Sequence, residues 1–166
     1  SLEDVSQNQP TVLATPEDVI SFIEPGTDLI VAMAAGEPSS FLDAIEAAAE
    51  AGELGDVVVH QMHPHARRPS MAGSYPDRLR HVSYFLSAAD RPYIGHGLSY
   101  VPANFSEVPE MMMRRARRPL VLASTADFQG RPAWGTNGEY VAALARDGVR
   151  CVVEVNDRQP VSFGRV

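Results

Sequence analysis

Lysine is absent from this chain, since all fourteen basic residues among its 166 are arginine. A phosphate-binding loop of the Walker type needs a lysine, and a pyridoxal enzyme needs one for its Schiff base. An enzyme with an amine nucleophile needs a lysine side chain as well. The sequence therefore excludes these three kinds of site.

The chain also has little cysteine, no long apolar run and no excess of positive charge. Cys151 is the only cysteine and stands in an apolar run, which excludes an intrachain disulfide and predicts a buried, unreactive thiol. No run approaches the length of a membrane span and no signal-like segment is seen, so we expect a soluble, cytoplasmic protein without a membrane partner. The net charge of -7 argues against a nucleic-acid partner.

Residues 28–40 organise the predicted fold. The segment begins as a short apolar run rich in β-branched residues and ends at Gly36, which predicts a buried strand. From Phe41 onward apolar residues recur at helical spacing. A strand, a loop and a helix form the first half of a βαβ unit, and ligands of parallel sheets bind beyond the carboxyl ends of the strands. Residues 34–40 are thus the first candidate site, although Gly36 and Pro38 also suit a plain turn and helix cap.

Strand and helix patterns alternate along the rest of the chain. Residues 1–14 show no period and are predicted to be a loose arm. The further predicted elements are a helix from Thr15, strands at 56–60, 79–86, 98–101, 120–124 and 149–155, and helices from Ser106 and Asn137. This alternation predicts a single α/β domain over residues 15–166, with an open, mostly parallel sheet and helices on both faces.

Four loops follow the carboxyl ends of predicted strands and are expected to line one crevice. These loops are residues 34–40, 61–72, 102–106 and 124–134. They supply polar side chains for a ligand but no evident nucleophile.

Two familiar arrangements can be assembled from these loops, and both are incomplete. His60, His63 and His65 have a spacing that can converge on zinc, yet no cysteine or suitably spaced acid completes a tetrahedral set, so we expect no metal. Ser124 and Asp127 form a Ser-His-Asp set with His60, but the Gly-x-Ser-x-Gly elbow of such hydrolases is missing. The arginines at 114–118 suit a phosphate, an acidic partner surface or a solvated helix end.

Five segments carry a resemblance to a known family. They are residues 23–28, 35–38, 79–85 and 100–109, and the C-terminal Glu154-Val155-Asn156 with Pro160 and Gly164. In this order and spacing the chain resembles the N-terminal half of the acetyl-CoA hydrolase/transferase family. These are class I CoA-transferases such as the 4-hydroxybutyrate and succinyl-CoA:acetate CoA-transferases.

The resemblance implies a two-half enzyme that moves acyl groups between coenzyme A and a small carboxylic acid through a glutamyl-CoA thioester. The catalytic glutamate belongs to a C-terminal half or β-type subunit, so we expect no catalytic residue in this chain and an oligomer with that partner. This chain would supply the CoA-transferase-like wall that encloses the acyl group. The residues expected to bind substrate are Gly36, Glu37, Pro38, His60, Met62, His63, Asn104, Phe105, Ser124 and Asp127.

Some loops depart from the family pattern. Relatives carry smaller or more polar residues where Ala34, Ala35 and Met62-His63 stand, which leaves acyl specificity, hydrolase activity and a non-catalytic binding or scaffold domain open. Two structural expectations follow from the half-enzyme interpretation. Large apolar side chains should adjoin the crevice at one exposed face, and the side chain of His60 should point toward the crevice mouth and the Gly36 loop. The side chains expected at that face are Met111, Met112, Met113, Phe128, Trp134 and Phe163.

Overall fold

The computed structural model describes residues 11–12, 15–32, 37–62, 64, 66–128, 131–133, 144 and 147–155. Its elements in chain order are β1 Thr11–Val12, a 3₁₀ helix Pro16–Phe22, β2 Asp28–Val31, α1 Ser39–Glu50, β3 Val57–Gln61, β4 Leu79–Ser83, a 3₁₀ helix Arg91–Tyr93, β5 Leu98–Tyr100, a 3₁₀ helix Phe105–Glu107, α2 Val108–Arg115, β6 Leu120–Phe128, β7 Arg131–Ala133 and β8 Arg150–Val155. None of the described helices is both long and apolar enough to cross a membrane.

Seven of these strands form one sheet in the order β1-β8-β6-β2-β3-β4-β5, and every pairing along it is parallel. β7 pairs antiparallel with the far end of β6. The predicted α/β domain with an open, mostly parallel sheet is thereby confirmed. β2 lies in the middle of the order, as its continuous apolar sequence predicts for a strand that is covered on both faces.

The two faces of the sheet are covered by different helices. Leu29 and Val31 pack with Phe41 and Ile45 of α1, whereas Ile30, between them in β2, packs with the cluster that includes Met112 of α2. This alternation follows from the period of two along a strand. It defines an α1 face and an α2 face, and a residue's position in its strand decides which face it joins.

The structure corrects several element boundaries. The predicted arm contains β1, which pairs with Val152 and Val153 of β8, and the helix predicted from Thr15 is a 3₁₀ helix. The strand predicted to reach residue 86 ends at Ser83, because the Ser83 hydroxyl donates to the Phe85 carbonyl oxygen at 2.8 Å and so closes a local turn. β6 extends to Phe128 and forms a hairpin with β7, where a loop was predicted.

The loop between β3 and β4 is held by a polar cluster. Ser70 is fully buried, and its hydroxyl donates to Glu46 Oε2 of α1 at 2.8 Å. His81 Nε2 of β4 lies 2.6 Å from the same hydroxyl. Gly97 packs against this loop so closely that a Cβ atom there would lie 1.8 Å from the Ser70 carbonyl oxygen. This loop, which has no sequence periodicity, is therefore held by α1, by β4 and by the close contact with Gly97.

Candidate functional site

Polar side chains gather at the carboxyl ends of β3, β6 and β8 on the α1 face. Gln61, Ser124 and Glu154 each lie two residues beyond a core residue that packs beneath α1, so their side chains share that face. Ser124 and Glu154 are partners in the parallel register of β6 and β8. The start of α1 lies over this edge of the sheet, as expected for a βαβ unit.

Gln61 ties the end of β3 to the turn that precedes α1. Its side-chain amide donates to Glu37 Oε1 and also to the carbonyl oxygen of Ala32, at 3.3 Å in the second case. Gln61 is 2% exposed and Glu37 is 7% exposed. A buried carboxylate is thus held in place by a neutral amide at the point where a ligand of a parallel sheet binds.

Glu154 and Ser124 form a second polar pair beside the first turn of α1. Burial raises the pKa of the half-buried Glu154 carboxyl, and the hydroxyls of Ser40 and Ser124 and the Ser40 backbone N–H oppose that shift. The nearby charge of Asp43 raises the pKa further. Ser124 is 2% exposed, and its hydroxyl faces the carboxyl of Glu154, its partner in the strand register.

His60 lies on the opposite face of the sheet from these side chains, the edge cluster of Glu37, Ser40, Gln61, Ser124 and Glu154. It is 3% exposed, and its Nε2 atom lies 2.8 Å from Asp28 Oδ2 while Nδ1 lies 2.9 Å from the Tyr84 hydroxyl. Burial lowers the pKa of His60, although Asp28 opposes the shift. In the neutral ring Nε2–H donates to the Asp28 carboxylate, so Nδ1 accepts a hydrogen bond from Tyr84. Burial likewise raises the pKa of Tyr84, which keeps its hydroxyl proton.

These contacts correct two expectations for His60. Its ring nitrogens bond Asp28 and Tyr84, not the Gly36 loop, and it points onto the α2 face rather than toward the crevice mouth. The Ser-His-Asp set with Ser124 is not formed either, since the two side chains lie on opposite faces and the acid beside His60 is Asp28. A role for His60 in substrate binding stays a prediction, and it would require one of the two hydrogen bonds to be given up.

Arg117 extends the series of hydrogen bonds that runs from Tyr84 through His60 to Asp28. Its guanidinium lies 2.8 Å from Asp28 Oδ1 and 2.7 Å from Asp56 Oδ2, at the amino end of the sheet. Arg118 of the same basic run contacts the Pro25 carbonyl oxygen and Glu24. These two arginines thus bind the chain's own acceptors, away from the carboxyl-end cluster.

The remaining predicted site residues occupy different environments. Pro38 is buried at the start of α1 and Met62 is partly buried against the α2-face core, whereas Asn104 and Phe105 are exposed. Gly36 and His63 fall outside the described residues, and Asp127 is described only as a backbone position of β6 opposite Pro132. The predicted site roles of all these residues stay predictions.

Of the three histidines with metal-like spacing, only His60 is among the described residues. Within the described ranges no group of three His, Cys, Asp or Glu side chains is arranged to hold a metal ion. His63 and His65 fall outside those ranges.

Cys151 is buried as predicted, and burial raises the pKa of its thiol to about 12, so the thiol stays protonated.

The exposed apolar surface differs from the expected one. Met112 is buried and Met111 and Met113 are partly buried, while the side chains of Phe128, Trp134 and Phe163 fall outside the described set. Large apolar side chains are exposed instead between β4 and α2. They are Phe85, Ile94, Tyr100 and Phe105, of which Phe105 is 71% exposed.

Ser40 and Gln61 fall within the loops predicted to line the site but were not among the named substrate-binding residues, and Glu154 was not expected at this edge. Gln61 was recoverable, because it follows His60 in a strand and must therefore face the other way, toward Glu37. Glu154 belongs to the segment that carries the family resemblance, but nothing in the sequence alone brings it to α1. That contact depends on the pairing of β8 with β6, which links residues far apart in the chain.

Comparisons with known proteins agree with the fold and with the predicted resemblance. No family model matches the chain. The chain is 26% identical over 157 residues to the 4-hydroxybutyrate coenzyme A transferase of Clostridium kluyveri, a match that covers 92% of this chain and 36% of that enzyme. The resemblance to the N-terminal half of CoA-transferases is confirmed.

Solved structures give the same picture. RipA from Yersinia pestis matches with a TM-score of 0.78 at 26% identity, over 98% of this chain and 40% of that protein. A 4-hydroxybutyrate CoA-transferase from Porphyromonas gingivalis shares the fold, with a TM-score of 0.57 at 19% identity over 99% of this chain and 38% of that one. The chain therefore spans less than half the length of these relatives.

Proposed function

We propose that this chain, which resembles the N-terminal half of CoA-transferases, is the N-terminal half or α-type subunit of a CoA-transferase or acyl-CoA hydrolase. It supplies the wall of the acyl site, opposite a glutamate nucleophile carried by a second half, and works in the cytoplasm as an oligomer with that half. The observation that carries the proposal is the match over 92% of this chain to only 36% of a 4-hydroxybutyrate coenzyme A transferase.

The edge cluster supports a binding role for this half. Glu37 is held by Gln61, and Glu154 stands against Ser40 and Ser124, so both carboxyls are fixed by the protein at the carboxyl end of the sheet. Among the described residues Ser124 has no histidine beside it, because His60 lies on the other face and bonds Asp28. These groups position and enclose an acyl group, whereas the covalent step requires a nucleophile activated elsewhere.

Coenzyme A enters as the acyl-CoA substrate together with a small carboxylic acid. Enclosure of the thioester between two halves excludes water, which favours transfer to an acid over hydrolysis. The same site with a wider crevice would act as a hydrolase, because water then reaches the glutamyl-CoA thioester and releases coenzyme A.

The exposed aromatic side chains support a partner surface beside this edge. Phe85 lies two residues after the end of β4, and Tyr100 is the last residue of β5. Phe105 lies five residues beyond β5. Exposed apolar residues at the carboxyl ends of parallel strands suit a surface that a second domain covers. A half-enzyme needs such a surface next to its acyl site.

The test is an acyl-transfer assay on residues 1–166 alone and after assembly with the C-terminal half encoded with or next to it. We expect transfer between acyl-CoA and free acids only in the assembled protein, with loss of transfer when the glutamate of the second half is replaced by alanine. Full turnover by residues 1–166 alone would refute the division of roles. No turnover in the assembled protein, with the two halves still bound to each other, would favour a non-catalytic scaffold domain.

A further inference from the structure

A groove runs along the outer side of α1. It lies between α1 and the 3₁₀ helix Pro16–Phe22 and has a volume of about 620 Å³. One end is at Ser40, the residue that brings α1 into the edge cluster, and the other is at Glu53, just beyond the last turn of the helix. This α1 groove therefore starts beside the edge cluster and follows the helix for its whole length, roughly 18 Å.

The floor of the α1 groove is apolar and accessible. One stripe of α1, with Phe41 and Ile45, packs on the sheet. Beside it, small side chains recur three and four residues apart, and two of them, Ala47 and Ala51, are exposed. The apolar residues that line the groove are Pro16, Ile20, Ala44, Ala47, Ala48 and Ala51. The distance between packed helices depends on the side chains at their contact, so these residues leave room for a further helix to lie close to both walls.

The rim of the α1 groove is negative. Glu17 and Glu53 are exposed, and neither has an ion-pair partner among the described residues, whereas Asp43 Oδ1 lies 2.6 Å from Arg68 Nη1. No arginine of the described part of the chain lines the groove. The phosphate groups of coenzyme A would meet like charge here. So would the same groove of a second copy related by a two-fold axis, since that pairing brings identical acids together.

We propose that the α1 groove is a docking site for an amphipathic helix of the second half, with an apolar face bordered by arginine or lysine. This inference rests on the proposed function for the identity of the partner. The charge of the rim selects a basic partner, and the groove starts at the edge that the second half has to cover. The chain spans less than half the length of its relatives, which carry further chain for such a contact.

Cysteine labelling tests the position of the contact. Cys151 is buried and its thiol stays protonated, so an introduced surface cysteine is the one that N-ethylmaleimide modifies. Ala51→Cys places a thiol in the groove, and Ala72→Cys, at an exposed position of the β3–β4 loop, is the matched control. We expect the second half to slow alkylation of Ala51→Cys about tenfold or more and to leave Ala72→Cys unchanged.

Removal of the rim charges tests the chemistry of the partner. Joint replacement of Glu17 and Glu53 by glutamine should weaken binding of the second half about three- to tenfold at low salt, because exposed ion pairs are weak and screened. The binding should also become less sensitive to salt concentration. Glu50→Gln is the matched control, since Glu50 is an exposed acid on the side of α1 that faces Tyr75, and it should change neither property.

Each result separates the docking site from the proposed function. Full reactivity of Ala51→Cys while the two halves are bound to each other would overturn the docking site, even if acyl transfer is observed. Protection of Ala51→Cys in the chain alone that disappears on dilution would make a second copy the occupant and would overturn it as well. Protection by the second half without any acyl transfer would keep the docking site and refute the proposed function instead.

Discussion

The side-chain amide of Gln61 donates a hydrogen bond to the buried carboxylate of Glu37 and so joins the end of β3 to the start of α1. His60, the preceding residue, points to the other face and bonds Asp28. Two adjacent residues thus serve different polar systems. One system lies at the carboxyl-end edge of the sheet, and the other lies beneath α2 and reaches the amino end of the sheet.

Gln61→Glu is expected to destabilise the protein because it places two carboxyls in buried contact. Where both are ionised, the repulsion and the lost hydrogen bond should lower the free energy of unfolding by roughly 2–4 kcal/mol, and acidification should relieve part of this as one carboxyl of the pair takes up a proton. Urea unfolding at pH 8 and pH 5 measures both effects. Asn104→Asp makes the same chemical change at an exposed position and should have little effect at either pH. Equal stability of Gln61→Glu and the wild type at pH 8 would contradict the contact.

Arg117→Met tests the ion pair at the amino end. Asp28 is 2% exposed, so loss of its cation leaves a buried carboxylate with fewer partners, and we expect the free energy of unfolding to fall by roughly 2 kcal/mol. The guanidinium is half-exposed, which keeps the effect below that of a fully buried pair.

Arg80→Met is the matched control for Arg117→Met, because Arg80 bonds only the half-exposed Asp56 among the described acids. We expect a clearly smaller loss from this change. Equal losses from the two substitutions, measured by urea unfolding at the same salt concentration, would show that the bond to Asp28 contributes nothing.

His81 should make the protein sensitive to acid. Burial lowers its pKa to about 3, with a smaller contribution from Arg68, whereas in the unfolded chain the histidine has its ordinary pKa of 6.5. The unfolded state therefore binds the proton first, so this contribution to stability is complete above pH 6.5 and is lost as the pH falls toward 3. Between pH 6.5 and pH 5 the loss is about 2 kcal/mol, at about 1.4 kcal/mol per pH unit. Burial of His60 acts in the same direction.

The comparison of His81→Gln with the wild type isolates this effect. Glutamine retains an N–H donor for the Ser70 hydroxyl but has no titratable group, so the decline in stability between pH 7 and pH 5 should be about 2 kcal/mol smaller than in the wild type. His96→Gln, at an exposed position, should leave the decline unchanged. The same decline in all three proteins would mean that buried His81 does not control the acid response.

Phe105→Ser separates the partner surface from the stability of the chain. Phe105 is 71% exposed, so its removal should leave the unfolding midpoint unchanged, while binding of the second half should weaken about tenfold or more if Phe105 is an anchor. Ile94→Ser is the matched control, since Ile94 is exposed but precedes β5 and lies at the opposite end of that strand. Comparable weakening by both changes would argue against a contact centred on the carboxyl ends of the strands.

The sequence was sufficient for the layer architecture because each layer repeats a local pattern. The apolar run of β2 and the helical spacing from Phe41 each indicate a buried element without reference to the rest of the chain. The alternation of such patterns predicts a parallel sheet. The candidate site was less accessible, since its contacts join distant segments. The pairing of Ser124 with Glu154 depends on the order of strands in the sheet. The 3₁₀ form of Pro16–Phe22 and the early end of β4 at Ser83 depend on local hydrogen bonds that periodicity does not reveal.

Gly97→Ala should be the most damaging small substitution in the described part of the chain. A Cβ atom at this position would lie 1.8 Å from the Ser70 carbonyl oxygen and 2.8 Å from the Gly73 backbone nitrogen. Both are backbone atoms of the loop that Ser70 anchors to Glu46, so neither can move aside without breaking that anchor. The Gly97 backbone also donates to the Met71 carbonyl oxygen at 2.9 Å and accepts from the His81 N–H at 2.8 Å.

We therefore expect Gly97→Ala to lower the free energy of unfolding by more than about 4 kcal/mol or to prevent folding, because overpacking against backbone cannot be relieved by a change of rotamer. Gly55→Ala is the matched control, since a Cβ atom there meets nothing within 4 Å. Soluble expression and thermal unfolding of the two variants provide the comparison. A melting temperature of Gly97→Ala close to that of Gly55→Ala would show that the β3–β4 loop does not pack on Gly97, because no arrangement of that loop with the Ser70 carbonyl in place leaves room for the added methyl group.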